Sequence, residues 1–269
     1  LKQNGVPIFL FYRDVYWNFP AYGKKLSPFK RNGALLFYRF ELCILYKLVN
    51  FLYLPSERMG KYVPGGHAEL KRALPPGCSS GSTVEKVSGS DLRLLYVGGV
   101  TPPNYDISDL IECVHGNMQF RLVIACRKEE FRAIEKSVNS NPNIFVDHRS
   151  SKNMKELYAS SDIVMIFNRP NEYLTFAMPV KLFEAIGYGV PILARSGTAS
   201  GDFVANEGIG WVASGPEEAR AILRRLSERP RELEEVRAKV REAAVRNTWA
   251  QRARKVVGDA ADILNALGR

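Results

Sequence analysis

The segment 177–192 combines residue types that could hold a phosphorylated ligand carrying neighbouring hydroxyl groups. Pro179 suits the first turn of a helix, where its missing N–H costs nothing, and Glu184 follows one turn later. An ionised carboxylate can accept hydrogen bonds from two adjacent ribose hydroxyls at once. Lys181 shares the helix face of Glu184, so its ammonium could neutralise a phosphate. The alternative is a plain surface pair of these two residues, with Gly189 ending the helix.

A pair of glycines follows the apolar segment 92–97, which reads as a strand. Gly98 and Gly99 would let backbone amides approach a diphosphate closely, although such a pair can also be only a tight turn. The spacing is not that of a nicotinamide or flavin site. Arg127, with Lys128 beside it, follows the next apolar segment and is predicted to supply positive charge to the phosphates. It could equally be a solvated helix start.

Strands and helices alternate regularly after residue 91, which predicts an α/β fold with a parallel sheet covered on both faces. Ligands of such sheets bind at the carboxyl ends of the strands. The predicted strands are 92–97, 120–125, 143–146, 163–167, 190–194 and 210–212. The predicted helices are 106–115, 128–138, 152–159, 179–188 and 215–227, followed by a charged helical end at 230–268 with Glu235–Lys239 and Glu242–Arg246 as possible ion pairs.

The first ninety residues follow a less regular pattern. The apolar run 8–12 predicts a buried strand, and an aromatic loop leads from it to a helix over 34–52. A short strand is expected near 52–54, with Ser56 capping a helix start after it. The Ser/Gly-rich stretch 78–90 is predicted to be a linker.

The net charge of +10 is unevenly distributed. Residues 1–90 contain 13 Lys/Arg and 5 Asp/Glu, a balance of +8, whereas the remaining 25 and 23 give +2. This asymmetry predicts an anionic partner, such as a phospholipid surface or a lipid diphosphate, although a merely soluble basic surface is the alternative. Nucleic acid is disfavoured because no binding motif is present. Four cysteines without paired or metal-type spacing, and no leader or spanning segment, predict a cytoplasmic protein.

The pattern P-x-K-L-F-E-x4-G-x-P over 179–191 resembles that of bacterial retaining GT-B glycosyltransferases, the large family four and its relatives. The resemblance extends over most of 91–268 and implies a Rossmann-like parallel-sheet domain with a partial second Rossmann-like domain at the N-terminus. The implied domains are 1–90 as the acceptor-side part and linker, 91–247 as the nucleotide-sugar-binding domain, and 248–269 as a helix returning to the first domain.

The resemblance also assigns roles to individual residues. Glu184 takes the ribose, Gly98 and Gly99 with Lys181 take the diphosphate, and the loop after strand 143–146 takes the base. Further donor contacts are implied for the loop that precedes the helix at Pro179. The residues implied for the base are His148, Arg149 and Ser150, and those implied for the donor-side loop are Thr175 and Phe176.

Arg13 and Asp14 stand where many members of this family carry His-Asp and some carry Arg-Asp. They are predicted to be catalytic together with Lys181, the arginine facing a leaving or acceptor phosphate; a structural loop pair is the alternative. The sequence departs from the family at Phe176, eight positions before Glu184, where many members have a second glutamate. It also lacks the family's basic residues after the glycine pair. The resemblance implies no cofactor and no metal.

These observations predict a retaining glycosyltransferase that moves a sugar from a UDP- or GDP-sugar to a glycan or lipid-linked acceptor in cell-envelope or exopolysaccharide synthesis. The enzyme is expected to lie peripherally on the inner face of the membrane. The alternatives are an isomerase resembling the UDP-N-acetylglucosamine 2-epimerases, disfavoured because only His148 lies near the expected cleft, and a non-catalytic nucleotide-sugar-binding protein. The opening elements of a GT-B domain would precede Leu1, so the chain is predicted to be a fragment.

Overall fold

A computed structural model describes residues 5–20, 22–24, 26–79, 91–148 and 154–268. The chain divides into two compact units. The first comprises Leu1–Pro76, Phe176–Met178 and Ala250–Arg269, and the second comprises Gly77–Thr175 and Pro179–Trp249. None of the helices in the described ranges is both long and apolar enough to cross a membrane.

The first unit contains a small parallel sheet, a long helix between the first two strands and most of a second long helix near the C-terminal end. Strands β1 (Phe9–Phe11), β2 (Phe51–Leu54) and β3 (Lys71–Ala73) pair in that order, and helix α1 (Pro28–Leu48) connects the first two. A strand is present within the predicted 8–12, but it is not buried as expected, since Phe9 and Leu10 are half-buried and Phe11 is exposed. Strand β3 was not predicted, because two charged residues followed by an alanine give no apolar signal.

Helix α1 begins earlier than the predicted 34–52 because a capping signal lies inside the aromatic loop. Ser27 accepts a hydrogen bond from the amide of Lys30 at 3.4 Å, and Pro28 occupies the first helical position. The helix ends at Leu48, since Val49 is already extended. The helix start predicted after Ser56 is only a short 3-10 turn, Arg58–Lys61, and its N-cap is Glu57 rather than Ser56. Ser56 Oγ still accepts from the amide of Met59 at 3.2 Å.

The second unit is built on a six-stranded parallel sheet of order β6–β5–β4–β7–β8–β9. This is the strand order of a doubly wound Rossmann sheet, in which the direction of winding switches between the first and fourth strands. The switch lies here between β4 and β7, which pair through Leu94 and Leu95. The six predicted strands are all present: β4 (Leu92–Val97), β5 (Phe120–Ala125), β6 (Ile144–Asp147), β7 (Ile163–Ile166), β8 (Ile192–Arg195) and β9 (Gly210–Ala213).

The helices of this unit agree less closely with the prediction. The expected helix 128–138 is reduced to a 3-10 turn followed by five helical residues, and α6 was missed although Thr198 caps its start and Gly208 ends it in the left-handed conformation. The helices are α2 (Ser108–Val114), α3 (Glu135–Asn139), α4 (Met154–Ala159), α5 (Val180–Gly187), α6 (Ala199–Glu207), α7 (Pro216–Glu228) and α8 (Pro230–Arg246).

The charged end of the chain forms two helices, α8 and then α9 (Trp249–Ala266), and α9 matches the helix expected at 248–269. The expected ion pairs are wrong in detail: Glu235 pairs with Arg231 at 3.4 Å, and Arg246 pairs with Glu207 at 3.1 Å. Most of the predicted linker 78–90 lies outside the described residues.

Asp259 of α9 contacts two side chains of the small sheet in the first unit. Its carboxylate accepts a hydrogen bond from the Tyr53 hydroxyl in β2 and forms a 2.5 Å ion pair with Arg72 in β3. Burial, followed by the neighbouring Asp259 carboxylate, raises the pKa of the Tyr53 hydroxyl above its ordinary value. The hydroxyl therefore remains a donor to Asp259 across the physiological pH range.

Candidate functional site

A cleft of about 640 Å³ lies in the second unit beyond the carboxyl ends of β4 and β5. It is placed where a doubly wound sheet receives its ligand. Six residues singled out from the sequence line it together, although they come from four separate segments. They are Gly98, Gly99, Arg127, Lys128, His148 and Glu184.

Glu184 extends from α5 into this cleft, and its carboxylate is held by a tyrosine. The Tyr158 hydroxyl of α4 donates to Glu184 Oε2 at 3.0 Å, while the buried Tyr158 ring stacks on Tyr188 with 4.5 Å between centroids. Burial, and then the charge of Glu184, raise the pKa of Tyr158 well above its ordinary value, so the hydroxyl keeps its proton. A carboxylate offers about four acceptor positions, so one bond from Tyr158 leaves room for two hydroxyl donors.

Lys181 lies against the glycine loop. Its Nζ is 4.3 Å from the centre of the Tyr96 ring, and a Cβ added to Gly98 would come within 2.6 Å of that nitrogen. Gly98 also has a φ of +139°, which side-chain-bearing residues rarely adopt. Glycine is thus required at 98 both for the backbone conformation and for the close approach of the ammonium.

Two effects act in opposite directions on the pKa of Lys181. Burial lowers the pKa of its ammonium to about 8, while the Glu184 carboxylate acts in the opposite direction. The salt bridges among the described residues do not include Lys181 with Glu184, so the surface-pair alternative does not account for its position. An ammonium partly withdrawn from water beside a glycine loop is suited to binding an anion.

Tyr96 and Asn168 fix the shape of the glycine loop, and neither was identified from the sequence. The Tyr96 hydroxyl donates to the carbonyl oxygen of Gly99 at 2.6 Å and accepts from Asn168 Nδ2 at 2.9 Å. Tyr96 is fully buried, and this burial raises the pKa of its hydroxyl. In the sequence it reads as one more apolar strand residue, so only the fold reveals what its hydroxyl contacts.

Glu130 is a third residue that the sequence did not reveal, and it lines the cleft. Its Oε2 accepts from the amide of Val100 at 3.0 Å, and its Oε1 lies 3.3 Å from Arg127 Nη1. The Arg127 side chain is 82% exposed. Arg127 therefore reaches the cleft as expected, but its guanidinium already faces a carboxylate, and a bound phosphate would compete with Glu130 for the Val100 amide.

The predicted base-binding loop is described only at its beginning. His148 follows β6, lies 3.0 Å through Nδ1 from the carbonyl oxygen of Cys126, and meets the Phe131 ring edge-on. Because a carbonyl can only accept, Nδ1 carries the proton. Arg149 and Ser150 lie outside the described residues.

Thr175 and Pro179 are two of the residues that were predicted to bind the donor. Thr175 Oγ1 donates to the carbonyl oxygen of Glu172 at 2.6 Å. Pro179 is the N-cap of α5 rather than its first helical residue, because its backbone is extended and the helix begins at Val180. Neither residue lines the cleft, and their predicted donor contacts stay predictions.

Phe176 belongs to the first unit, and its side chain is 1% exposed. Its ring packs on Phe19 and Tyr62 at 5.2 and 4.8 Å between centroids, and its carbonyl oxygen accepts from Ser56 Oγ at 2.5 Å. The side chain is thus a core contact and does not face a ligand.

Arg13 and Asp14 lie in the loop that follows β1 in the first unit. The Arg13 side chain is exposed, and Asp14 is partly buried.

Over the described ranges, no three His, Cys, Asp or Glu side chains are grouped so that they could hold a metal ion.

Residues 108–258 match the model of a family described as glycosyl transferase-like. No curated protein matches the sequence. Three similar solved structures are HepE from Anabaena in complex with UDP and glucose, WaaG, a glycosyltransferase involved in lipopolysaccharide biosynthesis, and the sucrose-phosphate synthase of Thermosynechococcus elongatus.

The similarity to these three structures is confined to the fold. HepE is 14% identical with a TM-score of 0.65, and the match covers 83% of this chain and 66% of HepE. WaaG is 18% identical with a TM-score of 0.58, and the match covers 89% of this chain and 71% of WaaG. The synthase is 14% identical with a TM-score of 0.69, and the match covers 96% of this chain and 68% of the synthase. The chain thus spans about two thirds of the length of each. The predicted GT-B fold is confirmed.

Lys181 should lose its proton near pH 8, since burial disfavours the charged form. Below that pH the ammonium is charged, and above it the amine is neutral. NMR titration of isotope-labelled lysine should show one resonance with this midpoint, absent from Lys181→Arg. Glu184→Gln removes the carboxylate that favours the charged form, so it should shift the midpoint to lower pH. A midpoint at the ordinary value for lysine in both proteins would contradict the environment described for Lys181.

Proposed function

The chain belongs to the glycosyl transferase-like family, and we propose that it transfers a sugar from a UDP- or GDP-sugar to a glycan or lipid-linked acceptor with retention at the anomeric carbon. The family and the GT-B fold make it a glycosyltransferase, as the sequence predicted. The single observation that carries the donor assignment is the meeting of Glu184, Gly98 and Gly99 in one cleft, with Lys181 against the glycine loop.

In this proposal the ribose of the donor lies against α5. Tyr158 fixes Oε2 of Glu184 at 3.0 Å, and the remaining acceptor positions receive the two ribose hydroxyls. Hydrogen bonds to an ionised carboxylate are about twice as strong as those between neutral groups, so this residue contributes much of the nucleoside affinity. The base lies toward His148, which lines the same cleft.

The diphosphate lies over Gly98 and Gly99, where the lack of side chains permits close approach of the backbone. The Lys181 ammonium lies against that loop and neutralises the charge that develops on the diphosphate as its bond to the sugar breaks. Arg127 adds a second positive charge when it releases Glu130. Charge neutralisation by fixed side chains is proposed here in place of a metal.

The acceptor hydroxyl is proposed to attack the anomeric carbon of the donor sugar on the face from which the diphosphate leaves, which retains the configuration. The bond from that carbon to the diphosphate oxygen breaks as the bond to the acceptor oxygen forms. Arg13 and Asp14 are proposed to assist on the acceptor side, where a guanidinium suits a phosphate group. Two features support an acceptor in cell-envelope or exopolysaccharide synthesis: the +8 balance of residues 1–90, and the similarity in fold to WaaG, which is involved in lipopolysaccharide biosynthesis.

The donor proposal predicts that the chain binds some UDP- or GDP-sugars and that Glu184→Ala weakens this binding about tenfold or more, since two charge-assisted hydrogen bonds are lost. Isothermal calorimetry with a panel of both donor classes measures the effect. Glu228→Ala, which removes an exposed carboxylate at the end of α7, is the matched control and should bind as the parent does.

The donor proposal would be contradicted if no UDP- or GDP-sugar bound, or if Glu184→Ala and Glu228→Ala bound equally well. A donor sugar that was epimerised without any acceptor would refute the transfer reaction. NMR of the anomeric proton in a transfer product tests retention directly, because inversion would give the opposite anomer.

Tyr158→Phe should weaken donor binding by about threefold to tenfold, since it removes one hydrogen bond that positions Glu184 and leaves the ring stack on Tyr188. Michaelis kinetics should show the change mainly in KM for the donor. In a Glu184→Ala background the same substitution should have no further effect, as the double-mutant cycle would show. Equal losses in both backgrounds would mean that Tyr158 acts through packing alone.

A further inference from the structure

Helix α1 presents an apolar face that no described residue covers. The face consists of six large side chains with exposures between 42% and 89%, of which Phe29 is the most exposed at 89%. The six are Phe29, Leu36, Phe37, Phe40, Ile44 and Leu48. Single exposed apolar residues need no explanation, but six large ones on the same side of one helix do.

The exposed row lies opposite the packed side of the helix. At about 100° per residue, the six side chains fall within an arc of about 120°. Leu42, the buried residue of the helix, lies on the other side, about 180° from the middle of that arc. The apolar row therefore points away from the side that packs in the first unit, and the helix is apolar on both sides.

Cations border the apolar face. Lys30 lies at one edge, Arg39 lies beyond the other edge, and Lys47 lies on the face near its C-terminal end; all three are exposed. The helix carries four Lys/Arg and one acidic residue, Glu41, within a segment of balance +8. Such a face complements a surface that is apolar beneath and negatively charged above, which is the structure of an anionic bilayer.

A second copy of the chain is a poorer occupant of this face. Two identical faces meeting about a twofold axis would bring Lys30, Arg39 and Lys47 of each copy toward like charges of the other, which is unfavourable. A bilayer surface instead supplies lipid for the phenyl rings and headgroup phosphates for the cations.

We propose that the outer face of α1 lies in the surface of an anionic membrane, with its phenylalanine and leucine side chains among the upper acyl chains. The helix lies along the membrane plane, since no described helix is suited to spanning it. On the inner face of a membrane this contact would bring the enzyme to a lipid-linked acceptor. The inference stands on the first unit alone and does not depend on the donor cleft.

Vesicle co-sedimentation of the full chain tests the proposal with mixed phosphatidylglycerol–phosphatidylcholine vesicles and with phosphatidylcholine vesicles alone. The parent should bind the anionic vesicles, and added salt should weaken the binding. F29S/F37S/F40S should bind at least about tenfold less. K30Q/R39Q/K47Q should lose the preference for anionic vesicles. M118S/V245S removes two exposed apolar side chains of the second unit and should bind as the parent does.

The thermal unfolding midpoint of each variant shows that the fold is intact, and nucleotide-sugar binding shows whether the donor cleft is unaffected. The proposal is overturned if the parent fails to bind anionic vesicles, or if F29S/F37S/F40S binds them as tightly as M118S/V245S. It is also overturned if the parent is a dimer that F29S/F37S/F40S converts to a monomer, because a second copy would then cover the face. None of these results bears on donor binding, so the two proposals fail separately.

Discussion

The hydrogen bond from Tyr158 to Glu184 connects the fold of the second unit to the chemistry of its cleft. Glu184 is on a short helix with an exposed carboxylate, and a free glutamate side chain would sample many rotamers. Tyr158 is buried and stacked on Tyr188, so its hydroxyl is a fixed point. Through this bond, the packing of α4 against α5 determines where the carboxylate can meet a ligand.

The parallel sheet brings the other parts of the cleft to the same edge. Gly98 follows β4, Arg127 follows β5 and His148 follows β6, and all three line the cleft with Glu184. The strand order places these ends side by side, so residues distant in sequence converge without any long loop. Glu130 adds a carboxylate that accepts from the Val100 amide and forms an ion pair with Arg127.

The strands, the cleft and Glu184 were predictable because their signals are local. Apolar runs, a glycine pair after a strand and a proline before a helix each act within a few residues. Tyr96, Asn168 and Glu130 were not predictable, since each acts through contacts with residues from other segments of the chain. Helix α1 was misplaced because its Ser27–Pro28 cap lies inside an aromatic stretch. The outer face of α1 was hidden, because apolar residues on both sides of a helix read simply as a buried helix.

The most direct test of the account is to compare the affinities of a nucleoside diphosphate and its 2′-deoxy and 3′-deoxy forms, using UDP or GDP, whichever binds. If the Glu184 carboxylate accepts both ribose hydroxyls, each deoxy form should bind the parent about tenfold more weakly, a loss within the range for hydrogen bonds to a charged group. Calorimetry on Glu184→Gln should show much smaller differences among the three. Equal affinities of the parent for all three compounds would show that Glu184 does not hold the ribose.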